Sequence, residues 1–122
     1  MIHKLVYILE QSVEDLILVI RGKKVILDYD LARRFGVTLK VLHQAVERNP
    51  EMFPPDYMFQ LTMDEAKSLG AKKCRGKHVK CRPYAFTEPG ISMLSSVLRS
   101  ERAIQANLEI MRTFVRLREI LA

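Results

Sequence analysis

The segment from residue 30 to residue 46 has the residue types and spacing of a helix-turn-helix. A small residue, Ala32, stands where two crossing helices must approach each other, and Gly36 follows four residues later at the turn. Two short helices at a steep angle need this small contact and a permissive backbone between them. Such a unit presents its second helix to the major groove of DNA, although an ordinary helical hairpin can have the same pattern.

Polar side chains recur on the outer face of the second helix of this unit. Glutamine can pair bidentately with adenine and arginine with guanine, so polar residues at these positions are candidates for contacts with bases. The acidic Glu47 would repel phosphate, and we expect it to form a salt bridge within the helix. The alternative is that the whole set is a solvated helix face. The predicted groove-facing residues are Lys40, His43, Gln44 and Arg48.

The positive charge of the chain is concentrated in one short segment. The sequence has 20 basic and 14 acidic residues, a net charge of +6, and the stretch from residue 71 to 82 holds six bases and no acid. Removing those six leaves 14 bases against 14 acids. Such a stretch favours phosphate contacts over a merely solvated loop. The predicted phosphate-binding residues are Lys72, Lys73, Arg75, Lys77 and Lys80, together with Arg21, Lys23 and Lys24.

The same basic segment contains three potential zinc ligands, Cys74, His78 and Cys81. Structural zinc takes four ligands, and the neighbouring cations would repel a dication, so we expect free thiols and no metal or other cofactor. Catalytic chemistry has little support in the rest of the chain. The three histidines lie in different segments, and the pair Asp28 and Asp30 fits a helix start better than a metal-dependent nuclease. We therefore expect a protein that is not an enzyme.

Length and composition describe one globular domain over residues 1–122. Hydrophobic residues make up 48% of the 122, enough for a core. The longest aliphatic run, Leu16 to Ile20, is far shorter than the roughly 20 residues that cross a bilayer, and the start of the chain lacks a signal peptide. These features predict a cytoplasmic protein without a membrane partner. The chain stops within a helical pattern, which is compatible with its being the N-terminal part of a longer protein.

Apolar periodicity and turn signals predict an α+β fold around the helix-turn-helix. A hairpin over residues 15–27 is expected, with strands at 16–20 and 25–27 and a turn at Arg21 to Lys24. Asp28 stands where a helix N-cap belongs, and this first helix ends at Gly36. Thr38 caps the second helix, which ends at Asn49 because the residue before proline disfavours helix.

The second half of the chain is predicted to contain two similar units on either side of the basic segment. A strand at 57–61 leads into the capping box of Thr62 and Glu65 and a helix to Leu69. An echo of this order follows 25 residues later, with a strand at 84–87 and a helix from Thr87, again as cap, to Leu98. The two strands are expected to pair with each other in an antiparallel sheet.

The longest helical pattern runs from Ser100 to Leu121 and carries two apolar stripes. One stripe should close the core of the domain, and the other is left over. The first has a lone Asn107, and a lone asparagine at such a position often fixes the register of a two-stranded coil, so we predict a homodimer through this helix. The alternative is that both stripes are buried within one subunit. The first stripe is Ala103, Asn107, Ile110, Phe114, Leu117 and Leu121, and the second is Ile104, Leu108, Met111 and Val115.

Several motifs of the chain together resemble the phage ORF-six amino-terminal domain, a relative of the KilA-N domain of phages and large DNA viruses. The resemblance extends from about residue 15 to residue 121, and it implies a DNA-binding α+β domain found in phage, prophage and bacterial proteins. The sequence departs from the pattern at His43, where asparagine is usual, and in the basic segment. The motifs are Ile20 to Val25, Asp30 to Ala32, Phe35 to Val37, Leu42 to Asn49, Phe59 to Thr62, Tyr84 to Gly90 and Met93 to Ile104.

The function expected from the sequence is therefore non-catalytic binding of double-stranded DNA, in the context of prophage gene regulation. The rival function is a protein-interaction or assembly module that works through the C-terminal helix, with the charge only aiding solubility.

Overall fold

A four-stranded antiparallel sheet with the strand order β1-β2-β4-β3 organises the molecule. The computed structural model describes residues 12–70 and 82–121. The strands are β1 (Leu18–Ile20), β2 (Lys23–Leu27), β3 (Met58–Gln60) and β4 (Tyr84–Thr87). The echo in the sequence correctly predicted one pairing, since β3 and β4 are antiparallel neighbours with Met58 opposite Phe86 and Gln60 opposite Tyr84. The α+β fold with short antiparallel strands and a long C-terminal helix is thus confirmed.

The β1–β2 hairpin is tighter than the sequence predicted. Its turn consists of Arg21 and Gly22 alone, both with positive φ (56° and 75°), as a two-residue type I′ turn requires. The predicted turn over Arg21 to Lys24 is therefore wrong at its second half, because Lys23 and Lys24 already belong to β2 and Lys23 pairs with Ile20.

Helix α1 (Val13–Leu16) occupies the place where the first strand was expected to begin. The Ser12 hydroxyl accepts a hydrogen bond from the Asp15 amide, and Val13 and Leu16, three residues apart, are both buried. This spacing and cap favour a helical turn. The prediction of strand from Leu16 was wrong because a short apolar run by itself does not distinguish strand from helix.

Helices α2 (Asp28–Phe35) and α3 (Leu39–Arg48) follow the hairpin and are joined by a three-residue turn. The turn begins at Gly36 with φ 72°, and the Thr38 hydroxyl accepts a hydrogen bond from the Val41 amide, so both sequence signals were correct. The predicted cap of α2 was not. Leu27 is the N-cap residue, and Asp28 is the first helical residue, with 2% of its surface exposed.

The remaining helices are a 3-10 turn (Pro50–Met52), α4 (Met63–Ser68), α5 (Glu88–Leu98) and α6 (Glu101–Leu121). The capping box of Thr62 and Glu65 is present as predicted. Thr87, however, does not cap α5 with its side chain. Its hydroxyl donates instead to the carbonyl oxygens of Asp56 and Tyr57, which ties the loop before β3 to β4.

Gly90 lies in the first turn of α5, where this helix crosses the chain at Tyr57. A Cβ atom at Gly90 would collide with the Tyr57 carbonyl group. Because that carbonyl is backbone that also accepts the Thr87 amide at 3.0 Å, it has no room to move away. Glycine is therefore required at this crossing.

The core has two parts, one on each face of the sheet. The larger part joins Ile26 and Phe86 of the central strands to the helices α1, α2, α3, α5 and α6, and the smaller part joins Val25, Leu27 and Ala85 to Leu61. Helix α2 is also held at its C-terminus, where the Arg102 side chain of α6 donates to the last carbonyl groups at 3.5 Å. The helix pair α2–α3 is thus fixed on the sheet and on α6.

Candidate nucleic-acid interface

Helix α3 presents a polar face to solvent and an apolar face to the core. Leu42 and Ala45 are buried, and Val46 is half-buried against the core. The opposite face carries a line of side chains at i, i+4 and i+7, which lie above one another on a helix. The exposed polar residues of α3 are Lys40, Gln44, Glu47 and Arg48. Three of the four residues predicted to face a groove are therefore solvent-accessible on this face.

Glu47 belongs to this exposed polar face. It is seven residues after Lys40 and three after Gln44, and it forms no ion pair with any residue from 12–70 or 82–121. The salt bridge that the sequence predicted within the helix is therefore absent from the described chain. An unneutralised carboxylate in this position lowers affinity for phosphate and accepts hydrogen bonds from any donor that approaches α3.

His43 fastens α3 to the rest of the domain. Its Nε2 atom lies 2.8 Å from the Oδ2 atom of Asp28, and its ring meets the Tyr84 ring edge-on, with 5.5 Å between centroids. The buried Asp28 carboxylate also accepts the backbone amides of Tyr29 at 2.8 Å and Tyr84 at 3.2 Å. One side-chain nitrogen of the predicted groove residue His43 is thus already used to join α3, α2 and β4.

Arg21 at the hairpin turn is bound within the protein. Its Nε and Nη2 atoms lie 2.8 and 2.9 Å from the two carboxylate oxygens of Glu65, and its guanidinium lies 4.2 Å from the centre of the Phe59 ring. The hydrogen bonds from Arg21 and from the Thr62 amide lower the pKa of Glu65 to about 2. Arg21 therefore reaches phosphate only by sharing or leaving this bidentate pair, whereas Lys23 is exposed and Lys24 is half-buried.

Two arginines that the sequence did not mark as DNA-binding lie beside α3. They line an open groove of about 540 Å³ between the start of α2 and the start of α3, whose walls include Tyr29, Leu39 and His43. Arg33 belongs to α2, and the Arg82 Nε atom donates to the Leu61 carbonyl at 2.9 Å. The sequence could have indicated Arg82, because it is the last basic residue of the segment from residue 71 to 82. No local sequence pattern indicated Arg33, because only the crossing of α2 and α3 brings it to this groove.

Part of the predicted interface lies outside the described residues. This applies to the phosphate-binding residues Lys72, Lys73, Arg75, Lys77 and Lys80, and to Cys74, His78 and Cys81. Gly70 and Arg82 are the described residues on either side of this segment. Arg82 lines the groove beside α3. Phosphate binding by this segment stays a prediction.

The two stripes of α6 have different surroundings. Ala103, Ile110 and Phe114 of the first stripe are buried in the core of the same chain, and Asn107 accepts a 3.5 Å hydrogen bond from the Ser92 hydroxyl. The first stripe is thus the one that closes the domain. Leu117 is half-buried, and the side chain of Leu121 lies outside the described residues. Three side chains of the second stripe remain on the surface, with 53% of Ile104, 41% of Leu108 and 44% of Val115 exposed. The fourth, Met111, is half-buried against the core, and its Sδ atom lies 3.2 Å from the Ser92 hydroxyl.

These features define a small α+β domain with two helices joined by a three-residue turn, a β-hairpin and a long closing helix. The family model of the ORF6N domain matches residues 15–97, and the chain belongs to this family. The resemblance drawn from the sequence motifs is thereby confirmed. No match to the chain is found among curated proteins or among solved structures. Within residues 12–70 and 82–121, no helix has the length and apolarity needed to span a membrane.

Proposed function

We propose that this ORF6N domain binds double-stranded DNA without cleaving it, and that it acts in the cytoplasm in prophage gene regulation. The observation that carries the proposal is the exposed polar face of α3. Lys40, Gln44 and Arg48 are accessible on a helix that is capped at Thr38 and held by its buried Leu42. A rigid helix that presents amide and guanidinium groups is suited to reading base edges in the major groove.

The surroundings of α3 support the same function. Arg33 and Arg82 stand beside its first turn at the open groove, and Lys23 is exposed on the hairpin. Cations flanking a recognition helix position it by contacting phosphates, while the helix itself selects the sequence. Because the basic segment from residue 71 to 82 ends at Arg82, its last residue lies on this side of the domain.

A DNA-binding measurement on specific and random duplexes, at two salt concentrations, tests the proposal. After selection of a preferred site from random DNA, Gln44→Ala or Arg48→Ala should cost about 1–3 kcal/mol on that site and relax base choice there. The matched control is Arg112→Ala, which removes an equally exposed arginine on α6. No binding to any duplex at low salt, or cleavage in the presence of magnesium, would contradict the proposal.

A variant of the basic segment separates phosphate contacts from base contacts. Replacing Lys72, Lys73, Lys77 and Lys80 by alanine should weaken binding equally on specific and random DNA. It should also reduce the log–log salt slope by about 0.9 for every phosphate that the variant no longer neutralises. An unchanged slope in this variant would move the phosphate-binding surface to the hairpin and the groove beside α3.

A second candidate function is a protein-interaction module that works through α6. The exposed apolar side chains of Ile104, Leu108 and Val115 favour it, because contiguous apolar surface marks interaction sites. The two functions are compatible if the partner is another copy of the chain, and a homodimer through α6 belongs to this proposal. Many helix-turn-helix proteins bind DNA as dimers with two half-sites.

A further inference from the structure

The second stripe of α6, with three exposed side chains and the half-buried Met111, has a symmetric spacing. Ile104, Leu108, Met111 and Val115 are separated by four, three and four residues, so the series reads the same in both directions. Glu101 lies three residues before the apolar series and Arg118 three residues after it, and both are exposed. At 1.5 Å per residue the whole stripe is about 26 Å long. It starts with an acid and ends with a base.

This pattern is complementary to itself only in the antiparallel orientation. A two-fold axis at the middle of the stripe places Leu108 against Met111 of the second copy and Ile104 against Val115 of the second copy. The same axis brings Glu101 next to Arg118 of the second copy at both ends. A parallel pair would instead oppose acid with acid and base with base, which is unfavourable.

Arg118 already has a partner within its own chain. Its Nη1 atom donates to the Glu88 carboxylate of α5 at 2.5 Å, while 54% of its side chain stays exposed. A guanidinium has five N–H donors, so Arg118 can donate to Glu88 and also to a second carboxylate from another copy. The bond to Glu88 fixes the position of the base at the end of the stripe.

The surface beside the stripe leaves space for another helix. A groove of about 540 Å³ lies between α5 and α6, lined by Ile104 and Leu108 together with the small side chains of Ser92, Ser95 and Ser96. Small residues at a helix pair let a third helix approach closely. Asn107 and Ser92 are hydrogen-bonded to each other at 3.5 Å and are half-buried, so the floor of the groove has its own polar partners.

We infer that two copies of this chain associate through an antiparallel pairing of their α6 helices, along Glu101, Ile104, Leu108, Met111, Val115 and Arg118. This arrangement is isologous, since each residue meets its symmetry counterpart in the same way on both copies. It rests on the second candidate function above and differs from the dimer predicted from the sequence in the face that it uses. The stripe that includes Asn107 closes the core of one subunit, and that asparagine pairs with Ser92 of its own chain.

Sedimentation equilibrium of the full 122-residue chain tests the association. The wild-type protein should show a monomer–dimer equilibrium, and Leu108→Glu should raise the dimer Kd about a hundredfold because a charge is placed in the middle of the pairing. Ile120→Glu is the matched control. Ile120 is 70% exposed on the same helix but lies outside the stripe, so the Kd should not change. Circular dichroism of each variant verifies that the fold is intact.

A charge exchange tests the orientation. Glu101→Arg should raise the dimer Kd about tenfold because it puts like charges at both ends of the pairing, and Glu101→Arg combined with Arg118→Glu should bring the Kd back towards the wild-type value. A wild-type chain that is monomeric at about 1 mM would overturn the inference, as would dissociation by Ile120→Glu in place of Leu108→Glu. A dimer that both charge variants leave unchanged would overturn the antiparallel orientation. None of these outcomes depends on DNA, so they are distinct from failure of DNA binding.

Discussion

Helices α3 and α6 both bury an apolar stripe in the same core, yet their exposed residues are arranged differently. Helix α3 turns Leu42 inward and exposes Lys40, Gln44 and Arg48 as a polar line, with Leu39 and Val41 of its first turn also 38% and 40% exposed. Helix α6 turns Ile110 and Phe114 inward and exposes three aliphatic side chains of its second stripe. A short helix with a single apolar stripe has mainly polar residues left for solvent. A long helix with two adjacent apolar stripes has one more apolar stripe than the core of a single subunit can cover. The difference favours a polyanion as the partner of α3 and an apolar partner for α6.

The largest effect is expected from Asp28→Ala, which tests how α3 is held on the domain. The change removes the carboxylate that pairs with His43 and leaves the buried amides of Tyr29 and Tyr84 without this acceptor. We expect the free energy of unfolding to fall by about 3 kcal/mol. Urea denaturation measures it, with Asp28→Asn, which keeps an acceptor oxygen, as the milder control. Equal stability of the alanine variant and the wild type would show that the contact between Asp28 and His43 does not hold α3 in place.

A smaller effect is expected from Glu47→Gln on the exposed face of α3. Because Glu47 has no ion pair with a described residue, its charge opposes phosphate directly, and its removal should raise DNA affinity about threefold at low salt. The gain should vanish at high salt, where exposed charges are screened. Fluorescence anisotropy measures it, with Glu119→Gln, which removes an exposed carboxylate of α6, as control. A gain of the same size from the α6 variant would show that α3 has no special role.

The smallest effect concerns the hairpin, where Arg21 is held by Glu65. The pKa of Glu65 is lowered to about 2 in the folded protein, so this carboxylate stabilises the fold above its ordinary pKa of 4.5. That contribution should be lost progressively as the pH falls from 4.5 towards 2. Glu65→Gln should therefore flatten the dependence of unfolding free energy on pH in this window. The comparison is made by denaturant unfolding of both proteins at several pH values.

The same variant sharpens the assignment of the DNA-binding surface. Glu65→Gln frees the Arg21 guanidinium, and if the hairpin lies near phosphate, DNA affinity should rise slightly at neutral pH. Unchanged affinity would place the hairpin turn away from the DNA and leave α3 with its neighbouring arginines as the contact surface.

The local features of the chain could be predicted from the sequence because they depend on neighbours within a few residues. The capping box at Thr62, the cap at Thr38 and the left-handed Gly36 each follow from one turn of backbone whose hydrogen-bonding groups need a nearby partner. The polar face of α3 follows from the helical period in the same way. These features predicted two helices joined by a turn at Gly36 and three exposed side chains of α3.

Only the tertiary structure decided which charged side chains are paired within the domain and which apolar stripe of α6 is buried in the core. His43 and Asp28 are 15 residues apart and Arg21 and Glu65 are 44 apart, so no local pattern indicates either pair. The position of Arg33 beside α3, and the burial of the Asn107 stripe rather than the Ile104 stripe, depend on how helices cross around the sheet. Periodicity and caps are short-range properties that the sequence alone determines, whereas the partner of each face is decided only when distant segments pack.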